Sequence, residues 1–337
     1  MWSLSTVVVG ARWRKYVARS KWLTTKIERD VAGGVSGRIK LCKSRIRVVK
    51  VITQEGLTAQ QVEFFDQNGY LVLPNFVDEQ ACLTLRERAM VLAKKHCPSP
   101  EEATVFTADG TAVHASEDYF LTSGDKIRCF FEKDAFNENG ELRQDAHLCL
   151  NKLGHAMHDL DSVFKEFSHS SRLGAVARSI GFKQEKLLQS MYIFKQPRIG
   201  GEVTCHVDHT YLWTEPQTVI GFWFAIDDAT TENGCMWALP GGHRLPVKTR
   251  NRLSPDRKST FNEVFDPNPY PTTGLMPLEA PRGTLILLNG TLPHRSGPNT
   301  SDKPRHAYTI HAIDGMADYP SDNWLQRPAL PMGGFQI

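Results

Sequence analysis

The stretch from Gly200 to Thr214, GGEVTCHVDHTYLWT, holds the closest group of metal-capable side chains in the chain: His206, Asp208 and His209. In an extended strand successive side chains alternate between faces, so His206 and Asp208 project to one side and His209 to the other. An imidazole and a carboxylate on one strand, joined by a second histidine from elsewhere, would form the 2-His-1-carboxylate triad that holds non-haem Fe(II) with open coordination positions. The stretch therefore predicts half of a metal site.

Several downstream histidines could supply the missing ligand. The candidates are His243, His294, His306 and His311. We prefer His294 because it follows an apolar strand pattern at Thr284 to Leu288 and precedes the turn signal Gly297-Pro298-Asn299. Arg305 opens the next predicted strand and can face the same cavity. Its planar guanidinium could grip the far carboxylate of a dicarboxylate whose other end binds the metal.

A second pair of histidines, His155 and His158, lies beside Asp159 in a stretch that we predict to be helical. Residues three apart share a helix face, so this pair could bind a metal. However, the sequence offers no third ligand of matching geometry, and polar helix faces commonly carry such residues. We therefore favour a structural role for the pair.

Charge divides the chain into a basic leader and a mildly acidic body. Residues 1–50 contain thirteen Lys or Arg against Glu28 and Asp30, a net charge of +11, whereas the whole chain carries +3, which leaves −8 for the rest. This balance disfavours nucleic acid as a partner of the body, and no apolar run reaches the ~18–20 residues of a membrane-spanning helix. The seven cysteines show no C-x-x-C spacing, which favours a reducing, intracellular location.

The leader, residues 1–50, is rich in arginine and poor in acidic residues, as mitochondrial presequences are. A disordered basic leader without an address fits equally well. We expect a cytoplasmic protein, or a mitochondrial one if the leader is a presequence, with one domain from residue 51 to 337. No feature of the sequence predicts the oligomeric state.

The body begins with helix signals and then turns to short β patterns. Thr58 and Asp78 are typical N-caps of two helices, and a short strand is predicted between them at Tyr70 to Leu73. Residues 126–131 are predicted to form a strand and residues 151–180 to be helical. Six further strand patterns follow, at residues 187–195, 202–213, 218–225, 235–239, 283–288 and 306–313. We predict a mainly β fold with flanking helices: a double-stranded β-helix (a cupin-like jelly roll) with the N-terminal helices packed on its sheet, and a long loop at Pro246 to Ala280 over one mouth.

These motifs together resemble a known family. The HVD at 206–208, His294 and Arg305 occur with QSMYIFKQP (189–197), ENGCMWALPGGH (232–243) and NWLQ (323–326). In this order they resemble the phytanoyl-CoA dioxygenase family of Fe(II)- and 2-oxoglutarate-dependent oxygenases, from about Leu57 to the C-terminus. The resemblance implies that Fe(II), 2-oxoglutarate and O2 take part, with ascorbate compatible as a reductant.

The resemblance also implies residue roles. The iron ligands would be His206, Asp208 and His294, and the contacts to 2-oxoglutarate would come from Lys152, Met191, Trp223 and Arg305. Ser296, two residues after His294, could donate a hydrogen bond to the same cosubstrate.

Family relatives that halogenate lack the carboxylate ligand, whereas Asp208 is present here. The resemblance therefore implies hydroxylation of a small hydrophobic or acyl-type substrate, with release of succinate and CO2. An alternative is a catalytically silent, cupin-like metal-binding or sensor protein. A zinc hydrolase using the same three ligands is disfavoured, because no separate general base is evident and Arg305 would have no purpose.

Overall fold

The computed structural model describes residues 56–99, 104–105 and 118–336 of the 337-residue chain. The predicted leader lies outside these residues, so its role and the proposed domain boundary stay predictions. The helices are α1 (Ala59–Asn68), α2 (Glu79–His96), α3 (Asp118–Leu121), α4 (Met157–Leu160), α5 (Ser162–Ser168) and α6 (Ser171–Ser179). In this part of the chain, none of them combines the length and the apolar character that a bilayer crossing requires.

The first strands, β1 to β7, are Tyr70–Leu73, Ile127–Phe131, Leu150–His155, Glu185–Ile193, Val203–His206, Ile220–Ala225 and Met236–Ala238. The remaining strands, β8 to β13, are Thr249–Leu253, Thr260–Val264, Met276–Leu278, Leu285–Asn289, His294–Ser296 and Ala307–Asp314.

The strands form two antiparallel sheets and one separate hairpin. The larger sheet has seven strands in the order β1-β11-β6-β13-β4-β3-β2, and the smaller has four in the order β10-β7-β12-β5. Strands β8 and β9 pair only with each other. Two such sheets with helices beside them confirm the predicted double-stranded β-helix.

The sequence of β6, IGFWFA, shows how one strand serves two cores. Phe222 and Phe224 belong to the apolar cluster that includes α2, α5 and α6, whereas Trp223 and Ala225 belong to the cluster shared with β7 and β10. A strand buried on both faces is a continuous apolar run rather than an alternating one. Each buried aromatic side chain contributes roughly 1.5–3 kcal/mol to folding, so this central strand holds helices and both sheets together.

The predicted helix caps are present. Thr58 and Gln61 form a reciprocal capping box at the start of α1, and Gly69 ends that helix with a left-handed φ of 77°. The Asp78 side chain accepts a hydrogen bond of 2.7 Å from the backbone N–H of Ala81 at the start of α2. These local signals fix both helices before any packing is considered.

The predicted helix at residues 151–180 is wrong over its first residues, which form β3 between β2 and β4. A register shift between Phe130 and Phe131 places both Leu150 and Leu153 in the helix-side core. Apolar residues three apart on one face imitate a helical spacing. The bulge therefore explains why the pattern suggested a helix.

Two further predictions need correction. The strand expected at residues 202–213 ends at His206, and Asp208–Thr210 forms one 3-10 turn. The stretch from Pro246 to Ala280 contains the β8–β9 hairpin and β10 rather than an irregular loop. The hairpin strands TRNRL and TFNEV carry mostly polar residues, so the alternating apolar pattern that identifies a strand is missing.

The pair His155 and His158 has a structural role, as expected. His155 Nδ1 lies 2.8 Å from Ser123 Oγ, and His158 Nδ1 lies 2.9 Å from Ser190 Oγ on β4. Neither belongs to the group of described residues that could hold a metal ion.

Asp159 is the centre of a buried ionic network that ties the C-terminal segment to α4, α5 and β4. It pairs with Arg327 and lies 3.1 Å from His158 Nε2 and 3.2 Å from His169 Nε2. Burial would raise the pKa of Asp159, but these hydrogen bonds outweigh it and hold the pKa well below its usual range. Arg327 also donates 2.9 Å to the carbonyl of Leu187 on β4.

We expect Arg327→Met to lower the free energy of unfolding by about 3 kcal/mol, because it leaves a largely buried carboxylate without its arginine partner. Urea denaturation at neutral pH would measure this. The matched control is Arg178→Met, which breaks the 2.9 Å pair with Glu185 at a site where the arginine is 44% exposed, and should cost less than ~1 kcal/mol. Equal losses in the two variants would contradict the importance of the network.

Candidate functional site

Pairing of β5 with β12 brings the two predicted histidine ligands together. His206 ends β5 and lies directly opposite His294, the first residue of β12. Their ring centroids are 4.4 Å apart. Asp208 Oδ1 lies 3.7 Å from His206 Nε2 and 3.6 Å from His294 Nε2. The potential ligand atoms of all three residues lie within 4.8 Å of one another.

The second nitrogen of each ring fixes its orientation. His206 Nδ1 is 2.8 Å from the carbonyl of Thr204, and His294 Nδ1 is 2.9 Å from the carbonyl of Leu292. A carbonyl only accepts, so each Nδ1 carries a proton and each Nε2, directed at Asp208, is the atom that a metal ion would bind. Burial lowers the pKa of His294 to about 4, which keeps it neutral. Two imidazole lone pairs and one carboxylate are the donor set that suits non-haem Fe(II).

Backbone geometry explains why His206 and Asp208 face the same way although the strand ends between them. Val207 is still extended, with φ −123° and ψ 139°, so the alternation of side chains continues for one more residue. His209 leaves the group: it is buried, and its ring centroid lies 4.4 Å from that of Trp213. This agrees with its predicted position on the other face.

Asp208 is ionised. Burial raises the pKa of its carboxyl, but the neighbouring His311, His294 and His206 outweigh burial and hold that pKa well below its usual range. His311 Nε2 lies 3.1 Å from Asp208 Oδ2, whereas the distances of His206 and His294 given above are to Oδ1. His311 was one of the candidates for the third ligand, and its contact with Asp208 was not predicted. The other two candidates are engaged elsewhere, His243 with the carbonyl of Asp66 and His306 with Tyr192 Oη.

Arg305 is a buried cation with unused donors. Only 1% of the residue is exposed. Its Nη2 donates 3.3 Å to Ser296 Oγ, its guanidinium lies 5.4 Å from the ring centroid of Trp223, and its Nε and Nη1 have no hydrogen-bond partner among the described residues. Burial lowers the pKa of Arg305 to about 10, so it remains charged at neutral pH. A buried charge without a counterion is costly, which points to an anionic ligand at this position.

Two buried lysines add to the positive potential. Burial lowers the pKa of Lys152 to about 7, and burial together with the charge of Arg305 lowers that of Lys195 to about 7. Lys195 Nζ donates 2.5 Å to the carbonyl of Gly201. The carboxylate of Glu132, which accepts 3.1 Å from the N–H of Gly201, is the acidic group that raises both pKa values. Three buried basic groups therefore share one buried carboxylate.

Lys195 and Glu132 were not predicted as site residues. The one signal available in the sequence was a lysine inside the otherwise apolar strand pattern that ends QSMYIFK. A lysine in a buried strand is rarely left without a function or a partner.

Met191 and Trp223 line the same row of the larger sheet. Both lie directly opposite Thr309 of β13, one on each side of it. The hydroxyl of Ser296 donates 3.0 Å to the carbonyl of Gly234 and accepts from Arg305. In this arrangement Ser296 orients the arginine, and a direct contact with a cosubstrate stays a prediction.

A double-stranded β-helix that carries a His-Asp-His group beside a buried, unpaired arginine defines a class, the Fe(II)- and 2-oxoglutarate-dependent dioxygenases. A profile of the phytanoyl-CoA dioxygenase family (PhyH) matches residues 65–307. The chain therefore belongs to the phytanoyl-CoA dioxygenase family.

Curated relatives match along nearly their whole length. The chain is 39% identical to a phytanoyl-CoA dioxygenase of Arabidopsis thaliana, over 82% of this chain and 95% of the relative. It is also 39% identical to phytanoyl-CoA dioxygenase domain-containing protein 1 of Bos taurus, over 82% of this chain and 97% of that protein.

Solved structures show the same fold at lower identity. EctD from S. alaskensis with bound Fe superposes with a TM-score of 0.57 at 17% identity, covering 84% of this chain and 89% of that one. The non-heme alpha ketoglutarate dependent carbocyclase SnoK from nogalamycin biosynthesis superposes with a TM-score of 0.56 at 17% identity, covering 79% and 88%.

Asp208→Ala should weaken the binding of Fe(II), because it removes the only anion from the ligand group. Loss of a ligand should exceed the effect of an outer-shell residue and so exceed about 100-fold in Kd. Anaerobic titration calorimetry with Fe(II) would measure the change. His209→Ala is the matched control: it removes an adjacent metal-capable side chain that faces Trp213, and metal affinity should be unchanged. Similar losses in both variants would contradict the assignment.

Proposed function

We propose that this dioxygenase hydroxylates a small hydrophobic or acyl-type substrate and couples this to oxidative decarboxylation of 2-oxoglutarate to succinate and CO2. One oxygen atom of O2 enters succinate and the other enters the new hydroxyl group. The observation that carries the proposal is the buried guanidinium of Arg305, which has two unused donor groups and contacts Ser296, two residues from His294 on β12. A metal centre alone gives no reason for an uncompensated cation, whereas a dicarboxylate cosubstrate does.

In this proposal His206, Asp208 and His294 hold Fe(II). Iron supplies the activation of O2 when it is bound. The protein contributes a neutral Nε2 donor from each histidine, fixed by the carbonyls of Thr204 and Leu292, and one carboxylate. A rigid ligand set of this kind keeps the remaining positions open for cosubstrate and O2.

Arg305 binds the far carboxylate of 2-oxoglutarate, with Ser296 holding the guanidinium in place. The buried setting strengthens this charge pair, since little water competes for it. Lys152 and Lys195 add positive potential, and Met191 and Trp223 pack against the methylene groups of the cosubstrate. Trp223 Nε1 has no partner among the described residues, so it is free to donate to the bound ligand.

Apolar side chains near the metal group support a hydrophobic substrate. The ring centroid of Tyr211 lies 6.2 Å from that of His206. Phe265, which follows the β8–β9 hairpin and is 54% exposed, lies 6.2 Å from Trp213 between ring centroids. The names of the relatives, which refer to phytanoyl-CoA, favour an acyl-type compound.

We expect Arg305→Ala to weaken 2-oxoglutarate binding by at least ~30-fold, because truncating one partner of a buried charge pair typically costs 2–5 kcal/mol. Iron affinity should stay within a few-fold. Titration of the iron-loaded protein with 2-oxoglutarate under nitrogen would test this. Arg295→Ala is the control, since Arg295 alternates to the outer side of β12 and pairs with Glu202 at 3.5 Å. Parallel loss of iron and cosubstrate affinity in Arg305→Ala would count against its role.

The affinity for 2-oxoglutarate should fall as the pH rises above 7. Burial lowers the pKa of both Lys152 and Lys195 to about 7, so both lose their positive charge above that pH while the cosubstrate remains a dianion. The slope can reach about tenfold per pH unit for each proton taken up on binding. Kd measured from pH 6 to pH 9 would show it, and Lys152→Met should flatten the profile. A flat profile in the parent protein would exclude a role for these charges.

A further inference from the structure

We propose that His311, oriented by Gln189, restricts Asp208 to binding iron through one oxygen and thereby preserves the coordination position that O2 requires. This inference rests on the proposed iron- and 2-oxoglutarate-dependent function. His311 acts through Asp208, so it is a positioning residue. It lies on the inner face of β13, directly opposite Gln189 of β4 and Gly221 of β6.

The two oxygens of Asp208 have different surroundings. Oδ1 lies between the Nε2 atoms of His206 and His294, at 3.7 and 3.6 Å. Oδ2 lies 3.1 Å from His311 Nε2. One oxygen therefore faces the ligand group, and the other is engaged by a residue outside that group.

Hydrogen-bond chemistry fixes the direction of the contact. A carboxylate only accepts, so His311 Nε2 donates to Oδ2. In a neutral imidazole Nδ1 must then accept, and Gln189 Nε2 lies 3.0 Å from it. The amide N–H of Gln189 supplies the donor to Nδ1. Gln189 thus selects the tautomer in which His311 can hold Asp208.

Gly221 lies beside Oδ2 of Asp208. A Cβ atom built on Gly221 would lie 3.4 Å from Asp208 Oδ2 and 3.7 Å from His311 Cδ2. Oδ2 therefore rests against bare backbone on one side and against an N–H donor on the other. A larger residue at 221 would extend into the space beside this oxygen.

The consequence follows from counting coordination positions. The facial triad takes three positions, a chelating keto acid takes two and O2 takes the sixth. If Asp208 bound through both oxygens, the protein would take four positions and the cosubstrate the remaining two. Iron and 2-oxoglutarate would still bind, but O2 would have no position.

The test compares His311→Leu, which has no donor, with His311→Gln, whose amide N–H can reach a similar distance. Nitric oxide serves as the probe, because it binds the position that O2 would take and gives an electron paramagnetic resonance signal. Affinities for Fe(II), for 2-oxoglutarate and for nitric oxide are measured anaerobically in each variant.

In His311→Leu we expect iron affinity to fall less than in Asp208→Ala, 2-oxoglutarate affinity to stay within about threefold of the parent, and nitric oxide affinity to fall at least about tenfold, on the scale of outer-shell effects. His311→Gln should recover most of the nitric oxide binding. His306→Leu is the matched control, since it removes another buried histidine next to β13 that contacts Tyr192 instead. It should lose stability without losing nitric oxide binding.

Unchanged nitric oxide affinity in His311→Leu would overturn the proposal. The proposal would also fail if both His311 variants were as stable as His306→Leu and both lost nitric oxide binding. The N–H donor at position 311 would then be irrelevant. A loss of iron affinity as large as that in Asp208→Ala would instead make His311 a ligand. If the parent protein bound iron but not 2-oxoglutarate, the proposed function itself would fail, which is a distinct result.

Discussion

The antiparallel pairing of β5 with β12 is the contact on which the functional site depends. It sets His206 opposite His294, and the extended Val207 then turns Asp208 back toward both rings. Neither strand is long: four residues form β5 and three form β12. Their position is secured by the neighbouring strand β7, which pairs with β12 on its other side, and by the apolar cluster shared with β6 and β11. The His-Asp-His group is therefore held by paired strands of the core.

The burial of several basic side chains in this site is electrostatically unfavourable. Arg305, Lys152 and Lys195 are buried with Glu132 as the acidic group among them, an arrangement that lowers the stability of the ligand-free protein. The chain offsets this cost with large apolar clusters and with ion-pair networks such as the one around Asp159. Binding an anion relieves the excess charge, so cosubstrate affinity and stability are linked through the same residues.

The sequence predicted the features that depend on residues close together in the chain. The caps at Thr58 and Asp78, the shared direction of His206 and Asp208, and the general β character all follow from short-range rules. Contacts between strands that are distant in sequence could not be predicted in this way. His311 was visible as a histidine in a strand, yet its approach to Asp208 depends on the register of β13 against β6. The bulge in β3 and the polar hairpin misled because each breaks the periodicity from which secondary structure is predicted.

Strand β13 carries two incompatible sets of side chains on its two faces. Thr309 and His311 face the site, whereas Tyr308, Ile310 and Ala312 belong to the helix-side core. Since neighbouring residues point to opposite faces, insertion or deletion of one residue would exchange the two sets over part of the strand. Length variation among descendants of this sequence should therefore accumulate in the β8–β9 hairpin, where polar residues tolerate it, and be excluded from β13. The fold therefore allows the β8–β9 hairpin to vary in length, whereas the length of β13 is fixed by the side chains that it places in the site.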